Sequence, residues 1–147
     1  MKPEIESIDL KDIADLYAIE KSVSQSPWTL EMFIASFHAG HGMFVAKSED
    51  KIVGFLIIMD VMEQLEILNI ATHPDFHKQG IASQLLSFLK NYAKQREINS
   101  MFLEVRKSNQ AAIALYQKFE FEQIGIRKKY YKTDSGQEDA LMMQFSF

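Results

Sequence analysis

The sequence predicts an α/β protein whose sheet contains both antiparallel and parallel strands, and two patterns carry this prediction. Two apolar segments, residues 43–47 and 52–59, are joined by a polar loop of hairpin length, which indicates an antiparallel pair. Further along, the apolar strand Gln64–Thr72 precedes a helical pattern and then the strand Ser100–Arg106. A strand, a helix and a second strand in this order predict a right-handed parallel crossover.

The N-terminal elements follow from capping residues and spacing. Residues 4–8 alternate like an edge strand, and Asp9 stands at an N-cap position before apolar residues with helical spacing. A second helix is predicted to open at Ser26-Pro27-Trp28, with Ser26 as the N-cap and Pro27 at the first helical position. The apolar residues of this stretch are Met32, Ile34 and Phe37.

The C-terminal half continues the succession of helices and strands. From Ile81 to Tyr92, apolar residues recur at i, i+4, i+7, i+8 and i+11, which predicts a helix that lies on the sheet. Ser108 and Asn109 can cap a helix over residues 110–119. Two strands, residues 121–127 and 140–145, then surround a polar connection that contains Asp134-Ser135-Gly136.

Length and composition predict one domain over residues 1–147. The chain is 47% hydrophobic and 24% charged, which is ordinary for a globular protein, and it is too short for two full domains. Its formal charge of -4 and its lack of a Lys/Arg block argue against nucleic acid as a ligand. The absence of cysteine excludes disulfides, thiolate metal sites and a cysteine acyl-enzyme.

Neither a membrane segment nor a metal site is expected. Acids interrupt the N-terminal segment, and no apolar run approaches the roughly 20 residues that span a bilayer, so we expect a soluble, cytoplasmic protein. His38 and His41 are spaced so that two imidazoles can meet at one metal ion, yet the sequence offers no evident third ligand. We expect these two side chains to be solvated.

Residues 68–89 form the first candidate binding site. A short apolar strand leads through His73-Pro74 and a glycine-bearing turn, HKQGIA, into a helix. The first turn of a helix has unpaired N–H groups and the positive end of the macrodipole, which together favour a phosphate. The turn has neither the Gly-Lys-Ser/Thr of a Walker loop nor the further glycines of the dinucleotide fingerprint. Taken alone, its glycine is more typical of a turn requirement than of a ligand cradle.

Three motifs in order narrow this interpretation. The segments LNIATHPDFHKQGIASQLL, FLEVRKSNQAAIALYQKFEF and IRKKYYKTDSGQEDALMM resemble the GNAT superfamily of N-acetyltransferases, and Ser26-Pro27-Trp28 matches a further landmark of that family. Within it, they are similar to the RimI-type enzymes, which acetylate the N-terminal alanine of a ribosomal protein. The resemblance covers essentially the whole chain. It implies a single mixed, mostly antiparallel sheet of about six or seven strands with a central, splayed parallel pair, flanked by about four helices.

The resemblance also implies acetyl-CoA as the co-substrate, with its pantetheine along the strand and its pyrophosphate on the amides of residues 79–82. A backbone N–H near Ile70 is then expected to polarise the thioester carbonyl. The implied cofactor contacts are Leu68, Asn69, Ile70, Ala71, Thr72, His77, Lys78, Gln79, Gly80, Ile81, Ala82, Ser83, Asn109 and Tyr116. For Asn109, helix capping and a contact with the cofactor are both open.

Two residues depart from the family pattern. His77 stands where relatives usually have Gln or Arg, and it carries less positive charge at neutral pH than an arginine. Because several amides remain, we expect cofactor binding to be weakened and not lost. Glu120 stands where relatives usually have a glycine between the helix and the next strand. Either this turn needs no positive φ here, or it is strained.

Acetyl transfer to an amine needs a base that deprotonates the ammonium group, and it gains from an acid that protonates the leaving thiolate. The resemblance implies Glu104, in the LEVR motif, as the base, acting directly or through water, and Tyr116 as the acid. Each has a structural alternative. Glu104 also fits an exposed strand carboxylate paired with Arg106 on the same face. Tyr116 also fits a core tyrosine beside Ala112 and Phe119.

The expected acceptor contacts are Trp28, Glu66, Tyr130 and Tyr131. Trp28 also suits a core or hinge aromatic, and the basic run around the two tyrosines also suits a solvated strand end. Glu63 and Glu66 are expected near the crevice, where their charge would suit a basic peptide.

Three functions remain open at this point. The leading hypothesis is transfer of an acetyl group to the N-terminal α-amino group of a ribosomal protein, with a basic N-terminal peptide as the partner. Acetylation of small amines or lysine side chains on the same fold is the second. A non-catalytic acetyl-CoA-binding module is the third. A monomer or a weak dimer is expected.

Overall fold

The computed structural model describes residues 2–147 and contains one seven-stranded sheet with four α-helices. The strands are β1 (Glu4–Ser7), β2 (Gly42–Ser48), β3 (Lys51–Val61), β4 (Gln64–Thr72), β5 (Ser100–Arg106), β6 (Glu122–Thr133) and β7 (Gly136–Ser146). The helices are α1 (Ile13–Val23), α2 (Leu30–His38), α3 (Ile81–Gln95) and α4 (Gln110–Lys118). The spatial order is β1-β2-β3-β4-β5-β7-β6, and all neighbours are antiparallel except β4 and β5. Within residues 2–147, no helix is both long and apolar enough to cross a membrane.

Two hydrophobic cores lie on opposite faces of the sheet. Residues of α3 and α4 pack into one core, and residues of α1 and α2 pack into the other. Successive residues of a strand point to opposite faces, so β3 sends Leu56 and Ile58 into the first core and Phe55 and Ile57 into the second. Burial on both faces explains why β3 is an unbroken apolar run in the sequence.

Gly54 allows α3 to begin close to the sheet. A Cβ atom at this position would lie 2.9 Å from Ile81 Cγ2 and 3.0 Å from the Ala71 carbonyl oxygen, which is too close for an unshifted contact. Glycine therefore permits the first residue of α3 to rest directly on β3.

Most of the predicted elements are confirmed. β4 and β5 have the predicted bounds, pair in parallel and are connected through α3. The β2–β3 hairpin turns at Glu49 and Asp50, whose φ values are 52° and 67°. Two consecutive residues with positive φ match the twist of an antiparallel hairpin. The mixed, mostly antiparallel seven-stranded sheet and the four helices agree with the family resemblance.

The predicted start of the second helix is wrong. α2 begins at Leu30, and the N-cap is Thr29, whose hydroxyl accepts a hydrogen bond from the Met32 N–H at 3.2 Å. The segment that contains Ser26 and Pro27 lies before the helix. There the Trp28 N–H donates to the buried carboxylate of Glu20 at 2.9 Å, a tertiary contact that local capping signals do not reveal. The large apolar residues exposed on this helix are Leu30, Met32 and Ile34, and those that pack against the core are Phe33 and Phe37.

The two C-terminal strands are longer than predicted. β6 extends to Thr133 and β7 begins at Gly136, so most of the predicted polar connection is paired strand. The register shifts between Arg127 and Tyr131, and Lys129 within this irregular part has a φ of 53°. β6 lies at the edge of the sheet, where charged side chains are common, and this is why its sequence resembles a loop.

The turn after α4 resolves the question raised by Glu120. Its φ is 72°, in the left-handed region that favours glycine. The Phe121 N–H donates to the Tyr116 carbonyl at 3.0 Å, and the Glu120 N–H donates to the Gln117 carbonyl at 2.9 Å. These two bonds form a Schellman motif with Glu120 in its left-handed position. The turn therefore needs a positive φ, and a residue with a side chain adopts it under strain.

Candidate active site

The site begins where the two parallel strands separate. Residues 64–66 of β4 pair with residues 100–102 of β5, and past this point the strands splay apart. A cavity of about 540 Å³ opens between residues 67–71 of β4 and residues 103–106 of β5. The end of α1, the α1–α2 loop and β6 supply further wall residues, which include Glu20, Val23, Ser24, Gln25, Ser26, Trp28 and Tyr131. We call this space the acceptor cavity.

A second cavity, of about 400 Å³, leads from the first toward the start of α3. The residues that line both cavities are Ile70, Ala71, Asn109, Ala112 and Tyr116. The rest of its wall is formed by Thr72, Phe76, His77, Lys78, Gly80, Ile81, Ala82, Ser83, Ala111 and Leu115. We call this space the cofactor cavity. Because five residues line both, the two cavities adjoin, and together they extend from the turn at Gly80 to the splayed strands.

The turn before α3 presents backbone N–H groups to the cofactor cavity. Lys78 and Gly80 have φ values of 63° and 81°, which turn the chain into the helix. The Gln84 N–H donates to the Gly80 carbonyl at 3.0 Å, so the N–H groups of residues 81–83 have no acceptor within the helix. A Cβ atom at Gly80 would meet no protein atom within 4 Å, which leaves that space free for a ligand. Unpaired donors beside open space fit a pyrophosphate.

His77 lines the cofactor cavity, and its ring is already hydrogen-bonded. The Nε2–H donates to the Thr72 carbonyl at 3.0 Å, across the turn that connects β4 to α3. His77 therefore supports the shape of the turn as well as facing a ligand. Gln79 lines neither cavity, and its side-chain amide donates to the Asp75 carbonyl at 3.4 Å.

Two asparagines lie where a ligand with amide groups would pass. Asn69 lines the acceptor cavity, and its Nδ2 is buried with no hydrogen-bond partner among the described residues. A buried donor without an acceptor is costly, so this amide fits a ligand that supplies a carbonyl. Asn109 caps α4, since its Oδ1 accepts from the Ala112 N–H at 3.2 Å, and the capping prediction is confirmed. The unpaired turn, the Asn69 donor and the apolar walls together fit the pyrophosphate and amide groups of acetyl-CoA.

Glu104 lies in the acceptor cavity and forms an ion pair with Arg127 of β6. The Arg127 Nε atom lies 2.8 Å from Glu104 Oε1. The predicted ion pair between Glu104 and Arg106 is wrong, because Arg106 pairs with Glu138 at 2.9 Å. Glu66 is electrostatically coupled to this group: desolvation and then the Glu104 charge raise the pKa of the Glu66 carboxyl, and Arg127 opposes the shift.

Tyr116 is buried where the two cavities join. Its ring packs against Phe121, with ring centroids 5.8 Å apart, and its carbonyl accepts the longer bond of the Schellman motif. Burial, and to a lesser extent Tyr131, raises the pKa of the Tyr116 phenol. The hydroxyl therefore stays protonated at neutral pH and can donate. The core alternative is confirmed for the ring, and this burial is compatible with the acid role.

Trp28 and Tyr131 both line the acceptor cavity. Trp28 also packs against Phe33, with ring centroids 5.1 Å apart, so it serves the core and the cavity wall together. Desolvation, followed by the Glu104 charge, raises the pKa of Tyr131. The rings of Tyr130 and Tyr131 pack edge to face, with their centroids 5.1 Å apart. Neither Tyr130 nor Glu66 lines the two cavities.

Three charged residues lie in or beside the acceptor cavity without having been expected there: Glu20, Arg106 and Arg127. The sequence places Arg127 in a basic run, which suggests solvent. Its position becomes clear from the sheet register, because Glu104 pairs with Met142, and Met142 pairs with Gly125, two residues before Arg127. That neighbourhood depends on the order β5-β7-β6, which no local pattern encodes.

No group of three or more His, Asp or Glu side chains suited to a metal ion occurs among residues 2–147. His41 is not the solvated side chain that the sequence suggested. Its Nδ1 shares a hydrogen bond of 2.7 Å with the hydroxyl of Ser36, a buried residue of α2.

A splayed strand pair that opens toward a helix N-terminus, with a carboxylate and a phenol along the way, is an arrangement suited to a CoA-dependent acyltransferase. Comparison with known families gives the class: the chain belongs to the acetyltransferase (GNAT) family, whose model matches residues 10–121. The matched part contains Glu104, Tyr116 and the turn at Gly80. Members of this family use acetyl-CoA as their co-substrate.

Several bacterial enzymes are similar over nearly the whole chain. The [ribosomal protein bS18]-alanine N-acetyltransferase of Escherichia coli (strain K12) is 34% identical over 139 residues, which cover 95% of this chain and 94% of the relative. The enzyme of the same name from Haemophilus ducreyi is 34% identical over 140 residues, which cover 95% and 97%. The crystal structure of the ribosomal-protein-S18-alanine N-acetyltransferase from Escherichia coli has a TM-score of 0.93 at 34% identity, and the match covers 97% of this chain and 92% of that one.

Proposed function

We propose that this acetyltransferase acts on the N-terminal α-amino group of a ribosomal protein, with alanine as the acceptor residue. One observation carries the proposal: Glu104 and Tyr116 line the acceptor cavity, which adjoins the cofactor cavity at Tyr116. The similarity supports the acceptor class, since relatives named for alanine N-acetylation of ribosomal protein bS18 are 34% identical over 95% of the chain.

The proposed reaction is direct attack by the amine in a ternary complex. Acetyl-CoA, when bound, supplies the acetyl group as a thioester. An α-ammonium group has a pKa of about 8 and must lose a proton before it attacks, and Glu104 accepts that proton, directly or through water. The amine nitrogen then bonds to the acetyl carbon and the carbon–sulfur bond breaks, while Tyr116, which is protonated at neutral pH, donates its phenolic proton to the leaving thiolate. The second proton lost by the nitrogen returns to the Tyr116 phenolate through solvent. The backbone N–H near Ile70 and the Asn69 amide are donors for carbonyl groups at the splay.

The charge of the acceptor cavity favours an ammonium group. Glu20 and Glu104 contribute two carboxylates to its wall. The positive charge of Arg106, which also lines the wall, is neutralised within its ion pair. Arg127 likewise pairs with Glu104, so the net negative charge of the wall comes from the Glu20 carboxylate, and this charge favours an incoming cation. Trp28 and Tyr131 add aromatic surface against which the first side chains of a peptide can pack.

Further parts of the proposal concern the surroundings of the site. Glu66 and Tyr130 lie outside the two cavities but beside Glu104 and Tyr131, so we assign them to the outer part of the peptide path. The reaction is placed in the cytoplasm, where ribosomal proteins are made. The enzyme is proposed to act as a monomer or weak dimer, without a metal ion, nucleic acid or a membrane.

Acceptor preference tests the proposal. Acetyl-CoA is offered with a peptide that begins Ala-Arg, with a lysine-containing peptide whose N-terminus is blocked, and with polyamines. We expect efficient turnover of the first peptide. Turnover confined to polyamines or to the blocked peptide would refute the acceptor class.

A matched pair of variants tests the base. Glu104→Gln keeps the size of the side chain, and we expect it to lower kcat about 10²- to 10⁴-fold with little change in the KM for acetyl-CoA. Glu6→Gln is the control, because Glu6 is also a strand carboxylate with a cationic partner, Lys47, at 2.8 Å. Since β1 lies at the far edge of the sheet, Glu6→Gln should leave kcat unchanged.

A further inference from the structure

The side chain of Arg106 connects two segments that are far apart in the sequence, one before Arg106 and one after it. Its Nη2–H donates to the Ser26 hydroxyl at 2.7 Å, in the loop between α1 and α2. Its Nη1–H donates to Glu138 Oε1 at 2.9 Å and contacts the Lys132 carbonyl at 3.3 Å, both in the β6–β7 hairpin. The Arg106 side chain is only 12% exposed, and its bond to Glu138 is partly buried.

On the side of the β6–β7 hairpin, Arg106 also stacks on an aromatic ring, and its partner Glu138 is hydrogen-bonded by another residue. The Arg106 guanidinium carbon lies 4.4 Å from the centroid of the Tyr131 ring. Glu138 is fixed from the other side by Ser108, whose hydroxyl donates to Oε1 at 3.0 Å and whose N–H donates to Oε2 at 3.2 Å. The Arg106 hydrogen bond is the foremost cause that lowers the pKa of Glu138, and Ser108 adds to it. The carboxylate is therefore ionised at neutral pH and stays available to the guanidinium.

The connected segments are walls of the acceptor cavity. Ser26, Arg106 and Tyr131 all line it, and Arg106 lies two residues after Glu104 on the same face of β5. A single planar group thus sets the spacing between the α1–α2 loop and the hairpin beside the proposed base. Because Glu138 neutralises the Arg106 guanidinium, this group places no unpaired positive charge where an ammonium must enter.

We propose that Arg106 is a positioning residue that joins the α1–α2 loop to the β6–β7 hairpin and so fixes the width of the acceptor entrance. The proposal rests on the acceptor side of the proposed function. Arginine suits the role because its rigid fork reaches several acceptors in one plane and stacks on a ring, whereas lysine presents one flexible ammonium. Arg106 lines the acceptor cavity and not the cofactor cavity, so the binding of acetyl-CoA should be insensitive to substitution of Arg106.

Two variants and a control separate this role from general stability. Arg106→Lys keeps the charge and loses the fork, whereas Ser26→Ala removes only the bond to the loop. Arg96→Lys is the control, since Arg96 is also stacked on a tyrosine, with its guanidinium carbon 3.5 Å from the Tyr92 ring centroid, away from both cavities. Hydrogen exchange of the two segments is measured first, because it needs no substrate.

We expect Arg106→Lys to increase the rate of amide hydrogen exchange in residues 24–29 and in the β6–β7 hairpin. Ser26→Ala should increase this rate in residues 24–29 alone. For kinetics, we expect Arg106→Lys to raise the KM for the Ala-Arg peptide about tenfold, and Ser26→Ala about threefold, with the KM for acetyl-CoA changed less than about twofold. Arg96→Lys should change neither segment and neither KM.

Unchanged exchange in both segments of both variants would overturn the proposal, as would equal changes in the two KM values. If Arg106→Lys does not fold, Ser26→Ala decides alone by the same two measurements. If the wild-type enzyme does not acetylate the peptide, the proposed acceptor is refuted, and the exchange experiment still decides whether Arg106 joins the two segments.

Discussion

Glu120 occupies the one position in the Schellman motif after α4 where glycine is preferred, and replacing it by glycine should stabilise the protein. Its φ of 72° brings the Cβ atom close to the backbone, which costs a residue with a side chain about 1–2 kcal/mol. Glycine removes this strain. The motif matters to the site because its longer hydrogen bond ends on the Tyr116 carbonyl.

Two terms oppose the gain. Glycine gives the unfolded chain more freedom, which costs about 0.4–1 kcal/mol. The substitution also removes the ion pair between Lys90 and Glu120, 3.5 Å apart, and since the Glu120 side chain is 78% exposed this pair contributes only about 0.2–0.5 kcal/mol. The expected net gain for Glu120→Gly is therefore about 0.5 kcal/mol.

Comparison with Glu120→Ala isolates the backbone term. Both variants lack the carboxylate, so the ion pair cancels, and only glycine relieves the positive φ. We expect the glycine variant to be more stable than the alanine variant by about 1 kcal/mol, or about 2–4 °C in Tm for a chain of this size. Urea unfolding and calorimetry measure the difference directly. A glycine variant no more stable than the alanine variant would refute the strained turn, and kcat should be the same in both.

Three further predictions concern single side chains of the site. Tyr116→Phe keeps the packing on Phe121 and removes the proton donor, so kcat should fall at least about tenfold at unchanged Tm, and a near-normal kcat would leave Tyr116 a packing residue only. His77→Arg adds a permanent charge to the cofactor cavity and should lower the KM for acetyl-CoA about threefold. His77→Gln, which can still donate to the Thr72 carbonyl, should not lower this KM. An unchanged or higher KM for the arginine variant would contradict the prediction. For Glu138, hydrogen bonds from Arg106 lower the pKa below the usual 4.5, so its stabilisation is present above that pH and is lost as the pH falls through the lowered value. The Tm difference between wild type and Glu138→Gln should therefore narrow from pH 7 to pH 3, and a constant difference would contradict the assignment.

Local periodicity was sufficient for the centre of the sheet. β4 and β5 have the predicted bounds because buried residues, such as Leu65 and Ile67 in β4 and Leu103 and Val105 in β5, alternate with less buried ones, which is the period-2 pattern of a strand. The helix α3 followed from its apolar stripe, and the cap of α4 followed from Asn109, whose side chain acts on its own first turn. These features depend on residues a few positions apart, so a single sequence contains them.

Elements whose bounds depend on distant partners were predicted less well. α2 starts three residues later than Pro27 because Trp28 is bonded to the Glu20 carboxylate and Thr29 provides the cap. The outer halves of β6 and β7 carry charged residues, and only their mutual pairing makes them strands. In both cases a tertiary contact outweighs the local signal.

The sequence by itself determined the family, the two candidate catalytic residues and the candidate phosphate-binding turn, because each belongs to a motif of neighbouring residues. Tertiary structure alone decided how charges meet in the site. It pairs Glu104 with Arg127 and leaves Arg106 to Glu138 and Ser26, although Glu104 and Arg106 are two residues apart on one face. The physical reason is that strand order and register place side chains from β5, β6, β7 and the α1–α2 loop within hydrogen-bond distance, and neither quantity is encoded in any short stretch of the chain.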